Sequence, residues 1–198
     1  GIANKILEKM KQNKEEEKKN NAEIPTPIIL VNEMLSKIPE EFWTRPNKVF
    51  EPCCGKGNFV MKIFEKFYNG LIELYPDVNN RCKSIISECL YFADLTQMNV
   101  FITTEILKCE IQSKTCQENT EYKFNSYVGD TLELDIKKVF NINNFDAVIG
   151  NPPYQNKNNN PCSFYAVYQL LYFCFRYSHG QDRRHFELRW FRNCFYRG

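Results

Sequence analysis

The sequence has no C-x-x-C pair, only two histidines, and no apolar run near the roughly 20 residues of a membrane span. Cys53 and Cys54 are adjacent, and a disulfide between neighbouring residues is strained. The N-terminal stretch lacks the apolar core and small-residue cleavage site of a secretory signal. These absences argue against a zinc site, a disulfide framework and a membrane partner. We predict no metal, and reduced thiols in the cytoplasm or, for a viral protein, in the host cell interior.

The composition is that of one globular domain. The chain has 198 residues, of which 43% are hydrophobic and 25% charged. Residues 1–160 carry 20 basic against 22 acidic residues, a net charge of −2, whereas residues 161–198 carry 6 arginines against 2 acids, a net charge of +4. A nucleic-acid partner would therefore not be held by a strongly basic core.

Three regions differ in composition. Residues 1–23 are highly charged and predict a solvated helix or a disordered arm. Residues 24–160 have the patterning of a folded domain. Residues 161–198 contain no lysine but six of the eight arginines and both histidines. A basic nucleic-acid-binding extension would have this composition, and so would an out-of-frame or truncated coding sequence.

Strands and helices alternate in the region 24–160. Apolar spacing predicts helices over 28–38, 58–68, 77–88 and 97–112, strands over 48–50, 90–95, 126–130 and 145–150, and a polar loop over 113–124. This alternation predicts an α/β fold with a mostly parallel sheet and helices on both faces. Ligands bind beyond the carboxyl ends of such strands. Four polar residues stand at those ends: Glu51, Asp94, Asp130 and Asn151.

The segment EPCCGKGNF (51–59) follows a strand and begins a helix. Gly55 and Gly57 allow a tight turn and a close approach of the backbone to a ligand. The phosphate-loop pattern G-x-x-x-x-G-K-[ST] is absent, and so is the third glycine of G-x-G-x-x-G. This segment, which includes Glu51 and Pro52, is therefore either a structural turn or part of a nucleoside-binding site.

Two acids that follow the next strands are equally ambiguous. Asp94 is placed to accept hydrogen bonds from ribose hydroxyls, or to cap the helix that follows it. Asp130 follows Gly129 and is either a turn residue or an acceptor for an adenine amino group.

The tetrapeptide Asn151-Pro152-Pro153-Tyr154 ends the last predicted strand. Two prolines fix φ and remove two amide donors, so the carbonyl groups there can accept hydrogen bonds from a ligand. The amide oxygen of Asn151 is a further acceptor, and Tyr154 offers a flat ring for stacking. The tetrapeptide therefore predicts a pocket for a planar group that carries an amino nitrogen.

Taken together, these motifs resemble those of the S-adenosylmethionine-dependent DNA adenine-N6 methyltransferases. The tetrapeptide 151–154 matches the catalytic motif of that family, and 51–59 resembles its cofactor loop. Thr26-Pro27 resembles the threonine-proline element that precedes this loop and lies against the methionine moiety. Asp94 and Asp130 follow in the order of the ribose and adenine contacts, although an additional helix at 77–88 separates Asp94 from the loop.

The resemblance implies a Rossmann-like methyltransferase fold and a catalytic domain over residues 24–160 that binds S-adenosylmethionine. It implies that a flipped adenine is methylated directly, with Asn151 and the Pro152 carbonyl accepting its two N6 hydrogens and Tyr154 stacking on the base. The family continues well beyond its tetrapeptide, so we expect a C-terminally truncated domain. A restriction endonuclease is a further expected partner.

Other functions are compatible with the same motifs. The protein-glutamine N5 methyltransferases use a similar Asn-Pro-Pro-Tyr motif on a side-chain amide, and an amino group in RNA is a third substrate class. The position of Thr26-Pro27 favours the DNA enzymes. A non-catalytic remnant of a DNA methyltransferase is the alternative from a different functional class.

Overall fold

The structure, a computed structural model, describes residues 25–116 and 121–151. The predicted charged arm 1–23, residues 152–160 and the predicted tail 161–198 lie outside the described residues. The helices are α1 (Ile28–Leu35), α2 (Glu40–Trp43), α3 (Asn58–Gly70), α4 (Val78–Ser84), α5 (Gln97–Thr115) and α6 (Ile136–Phe140). A π-helical segment (Ile85–Cys89) and a 3-10 turn (Thr131–Glu133) complete the helical structure.

Four strands form one parallel sheet: β1 (Val49–Glu51), β2 (Leu90–Asp94), β3 (Asn125–Val128) and β4 (Ala147–Val148). Their order is β3-β2-β1-β4, with Val49 beside both Leu90 and Ala147. The chain therefore builds the sheet outward from β1 to β3, then returns to add β4 on the other side of β1. Such a reversal opens a crevice at the carboxyl ends of the two strands that flank it, here β1 and β4.

Both faces of the sheet are covered. Successive residues of a strand point to opposite faces, and accordingly Leu90 and Phe92 belong to one apolar cluster whereas Tyr91 and Ala93 belong to another. Helices α1 to α5 contribute to the first and larger cluster, and α6 covers the second. This architecture confirms the predicted α/β, Rossmann-like class with a parallel sheet and helices on both faces.

Helix α3 shows how the sequence produces a helix and its orientation. Gly57 precedes it with φ of 90°, a left-handed conformation that favours glycine. Apolar residues then recur on one face, and all of them are at least 95% buried: Phe59, Val60, Ile63, Phe64 and Phe67. The helix therefore packs on the sheet and places the turn before it, residues 52–57 (the glycine turn), at the carboxyl edge of the sheet.

Several predicted elements differ in extent. The predicted helix 77–88 is divided into α4 and the π-helical segment, and α5 continues to Thr115 into the predicted loop. The last strand is only Ala147–Val148, and α2 and α6 were not predicted. The predicted helix 28–38 ends earlier, at Leu35, and its first residue Ile28 is 41% exposed. Short helices carry too few apolar repeats for a pattern of helical spacing to reveal them.

Candidate functional site at the carboxyl edge of the sheet

The crevice between β1 and β4 is lined by Glu51 and Gly150. Glu51 is the last residue of β1 and is completely buried, and Gly150 follows β4. A Cβ atom on Gly150 would overlap the carboxyl group of Glu51. Glycine is therefore required at position 150, because the backbone leaves β4 directly against the Glu51 side chain.

Glu51 has unusual electrostatics. Its Oε1 accepts a hydrogen bond from the Cys53 amide at 3.0 Å, whereas Oε2 is buried and has no hydrogen-bond partner among residues 25–116 and 121–151. Burial raises the pKa of this carboxyl group to about 8, the Cys53 amide opposes the rise, and the nearby Asp94 adds to it. An acid with an unpartnered buried oxygen at a strand end has the chemistry of a ligand site.

The glycine turn that follows β1 is held on both sides by its neighbours. Gly55 has φ of 51° and donates its amide hydrogen to Asp94 Oδ2 at 2.9 Å, while its carbonyl accepts from the Thr103 hydroxyl at 3.3 Å. Cys54 donates its amide to the Ala93 carbonyl at 2.8 Å. The turn is therefore tied to β2 and α5, and the space beside the Gly55 Cα atom is open.

Asp94, predicted as a ribose contact or a helix cap, lies at the end of β2 and is 7% exposed. Besides Gly55, its carboxylate accepts hydrogen bonds from the Thr96 amide at 2.8 Å and from the Asn99 side chain at 3.1 Å. The N-cap of α5 is Thr96 rather than Asp94. Asp94 thus joins the glycine turn to the start of α5, and its ribose contact stays a prediction.

Asp130 is exposed and precedes the 3-10 turn, where its Oδ1 accepts a hydrogen bond from the Leu132 amide at 2.9 Å. Burial raises the pKa of the Cys53 thiol beyond its ordinary value, and three acids add to that effect: Glu51, Asp94 and Asp130. The three predicted acidic ligands therefore lie within electrostatic reach of one side chain, and so share one edge of the sheet.

Thr26 and Asn151 are in direct contact, although 125 positions separate them. The Asn151 side chain donates from Nδ2 to Thr26 Oγ1 at 2.9 Å. The Thr26 carbonyl also accepts from the Asn58 side chain, the first residue of α3, at 2.8 Å. The predicted threonine-proline element, the glycine turn and the first residue of the tetrapeptide are thus brought together.

The remaining predicted residues are distributed as follows. Pro27 is exposed and precedes the first residue of α1, and Pro52 is buried directly after Glu51. The catalytic candidates Pro152, Pro153 and Tyr154 lie outside the described residues. Within the described part of the chain, no group of three or more His, Cys, Asp or Glu is arranged to hold a metal ion.

Three further residues support the site: Asn58, Asn99 and Thr103. Asn99 and Thr103 are almost fully buried on the face of α5 that meets the glycine turn. Their only signal in the sequence is their polarity on an otherwise packed helix face. Asn58 has a weaker signal, since a polar residue after a glycine turn is ordinary at a helix start.

Known proteins match part of the chain. Residues 88–181 match the model of the Eco57I restriction-modification methylase family. The match covers slightly less than half of the chain and includes Asp94, Asp130 and the tetrapeptide, but begins after the glycine turn and Thr26-Pro27. No curated protein matches the chain.

The α/β fold and the polar strand ends agree with this similarity to a restriction-modification methylase family. The matched family belongs to restriction-modification systems, and the chain is similar to it over that segment. Across residues 25–116 and 121–151, no helix combines the length and apolar character needed to cross a bilayer.

Proposed function

We propose that the chain transfers a methyl group from S-adenosylmethionine to the N6 amino group of adenine in DNA, as a site-specific adenine methyltransferase. The observation that carries the proposal is the hydrogen bond between Thr26 and Asn151. It joins the threonine-proline element to the tetrapeptide beside Glu51, at the crevice where an open α/β sheet binds its ligand.

The residues at this edge fit the proposed cofactor. S-adenosylmethionine carries hydrogen-bond donors in its ammonium, adenine amino and ribose hydroxyl groups, and it supplies the methyl group from its cationic sulfur when bound. The unpartnered Oε2 of Glu51 suits one of these donors. The open side of Gly55 leaves room for a close approach, and the exposed Asp130 remains our candidate for the adenine amino group of the cofactor.

We propose that Asn151 and its neighbours bind the amino group of the substrate that accepts the methyl group. Because Nδ2 of Asn151 donates to Thr26, the amide oxygen Oδ1 lies at the opposite end of the amide. In our proposal Oδ1 and the Pro152 carbonyl accept the two hydrogens of the target amino group, which directs its lone pair toward the methyl group. Tyr154 stacks on the base, and positioning supplies much of the rate.

The proposed substrate is an adenine flipped out of duplex DNA, since its N6 atom cannot be reached while the base is stacked. The match to a restriction-modification methylase family supports DNA over other acceptors. We propose a restriction endonuclease as the functional partner, because methylation in such systems protects DNA from a cognate nuclease.

The test is transfer of an isotope-labelled methyl group from S-adenosylmethionine to unmethylated DNA, with digested nucleosides identified by mass spectrometry. Labelled N6-methyladenine is the expected product. Label in glutamine of a protein acceptor, or in RNA, would replace the proposed substrate. Cofactor binding without any transfer, measured by calorimetry, would instead indicate a non-catalytic remnant.

Asn151→Ala should lower the rate of methyl transfer by at least about 100-fold, because it removes a preorganised acceptor at the reacting nitrogen. The affinity for the cofactor, measured by calorimetry, should change little. Asn143→Ala, an exposed asparagine in the segment before β4, is a matched control and should retain the rate. An equal loss of transfer and of cofactor binding in Asn151→Ala would contradict the assigned role.

A further inference from the structure

We infer that the Thr26 side chain positions the catalytic amide of Asn151 rather than binding the cofactor. This inference rests on the proposed function of Asn151. The hydroxyl oxygen of Thr26 accepts the hydrogen bond from Asn151 Nδ2 at 2.9 Å. Thr26 is 9% exposed, so little solvent is present to replace that contact.

The contact matters because the Asn151 side chain needs to be oriented. The terminal torsion of an asparagine is broad when nothing holds it, and Asn151 follows a glycine at the end of a two-residue strand. An amide has its donors on Nδ2 and its acceptor on Oδ1. Anchoring Nδ2 on Thr26 therefore selects the direction in which Oδ1 points, and orientation of a reacting group contributes strongly to rate.

Thr26 is itself held in a defined position. Its carbonyl accepts a hydrogen bond from Asn58 Nδ2 at 2.8 Å. Pro27, with φ of −57°, follows it and leads into α1, whose buried residues Val31 and Leu35 pack in the main core. The hydroxyl is thus presented from a rigid frame, as a supporting group for a catalytic side chain should be.

The hydrogen bonds form a continuous path from the glycine turn to the transfer site. Asn58 begins α3 directly after Gly57, Thr26 receives its side-chain hydrogen bond, and Asn151 completes the path. Thr26 uses its main-chain carbonyl for the hydrogen bond with Asn58 and its side-chain hydroxyl for the hydrogen bond with Asn151. Removal of the hydroxyl alone therefore breaks the link to Asn151 and leaves the link to α3.

The kinetic test compares Thr26→Val, which keeps the shape and removes the hydroxyl, with Thr26→Ser, which keeps the hydroxyl. We expect Thr26→Val to lower kcat about ten-fold, the loss that one orienting hydrogen bond produces, with an unchanged Kd for S-adenosylmethionine. Thr26→Ser should remain within about three-fold of the wild-type kcat on the same grounds. Thr104→Val, which removes a half-buried hydroxyl bonded within α5, is the matched control and should behave as the wild type.

A second measurement does not depend on activity. The side-chain amide resonances of Asn151, identified by their loss in Asn151→Ala, should shift in Thr26→Val and exchange with solvent faster, and should be retained in Thr26→Ser. Unchanged resonances in Thr26→Val would overturn the positioning role. So would a ten-fold weaker binding of S-adenosylmethionine with unchanged kcat, which would make Thr26 a cofactor contact. The proposed function, and not the positioning role, would be refuted if the wild-type chain transferred no methyl group although the Asn151 resonances still shifted in Thr26→Val.

Discussion

Two neighbouring strands of the sheet end in a buried acid, and the two acids have opposite environments. Asp94, at the end of β2, accepts three hydrogen bonds from Gly55, Thr96 and Asn99. Within the described part of the chain, Glu51, at the end of β1, accepts one hydrogen bond, and its Oε2 has no partner. Burial with partners stabilises a fold, whereas burial without partners costs stability and is retained at sites that bind something.

The difference separates an acid that supports the structure from one that is our candidate for a ligand contact. Both residues were predicted as cofactor contacts, from their positions at strand ends and from the resemblance of the motifs to a methyltransferase family. The hydrogen bonds of Asp94 fix the glycine turn against α5, whereas the carboxyl group of Glu51 faces the crevice beside Gly150. Substitution of Glu51 and substitution of Asp94 should therefore change the free energy of unfolding in opposite directions.

The largest expected effect is the difference in stability between Glu51→Gln and the wild type, which should grow with pH. The folded protein keeps the proton of Glu51 up to a pKa of about 8, whereas the unfolded chain releases it near 4.5. The unfolded state therefore gains stability relative to the folded state as pH rises through this range, at up to about 1.4 kcal/mol per pH unit. Glu51→Gln should remove this cost and be more stable than the wild type by about 4 kcal/mol at pH 8.

Urea unfolding of both proteins without cofactor, at intervals from pH 4.5 to 8, provides the measurement. The two stability curves should converge toward the acidic end, because at pH 4.5 the unfolded side chain is already half protonated and the folded one fully protonated. Curves that stay parallel over the whole range would show that Glu51 titrates normally. If Oε2 holds the cofactor, the same variant should also bind S-adenosylmethionine more weakly.

Asp94→Ala should have the opposite sign and lower the free energy of unfolding by about 2 kcal/mol, because the amides of Gly55 and Thr96 lose their acceptor at a half-buried site. Asp135→Ala is the matched control. Asp135 also accepts from two amides, those of Lys137 and Lys138, but is exposed. Water can replace it, so its loss should cost less than about 1 kcal/mol in the same thermal or urea unfolding experiment.

Equal losses in the two alanine variants would remove the distinction between a structural acid at β2 and an ordinary capping acid. A stability gain in Asp94→Ala would place it with Glu51 as a ligand acid.

The smallest effect is expected for Thr103→Val, which removes the hydroxyl that donates to the Gly55 carbonyl at 3.3 Å. This long bond should contribute about 1 kcal/mol or less to the free energy of unfolding. The same hydroxyl also lies 3.6 Å from Cys54 Sγ as a donor, and valine keeps the side-chain shape beside Gly57, so unfolding by urea should report the loss of these two contacts. A loss several times larger would indicate that the glycine turn depends on α5 more than on Asp94.

The periodic part of the fold could be predicted from the sequence. The face of α3 and strands β1 and β2 have clear helical or apolar patterns, and the structure confirms them. The end of α5 at Cys116, with φ of 52°, could not be predicted, since no glycine or proline marks it. The π-helical segment after α4 was also missed, because its residues continue an α-helical pattern.

The site was predictable as a set of residues but not as a set of contacts. Polar residues at strand ends indicated where Glu51, Asp94 and Asn151 would gather, because parallel strands end at one edge. The different environments of Glu51 and Asp94 depend on atoms that come from elsewhere, such as the Gly55 amide. The Thr26–Asn151 hydrogen bond required knowledge of the β1–β4 pairing, which no local pattern supplies.

The strand order also has a consequence for the time course of folding. β1 pairs with β2 nearby in the sequence, but the Lys48 amide bonds Asp146 across 98 positions, and Thr26 meets Asn151 across 125. Closing long loops is entropically costly, so distant pairings are slow to form. The Thr26–Asn151 hydrogen bond therefore belongs among the last contacts to appear, after β2 has paired with β1 and β3 with β2. A chain still emerging from the ribosome would hold the glycine turn long before it could present Asn151, so the amide to which we assign the catalytic role is a marker of completed folding.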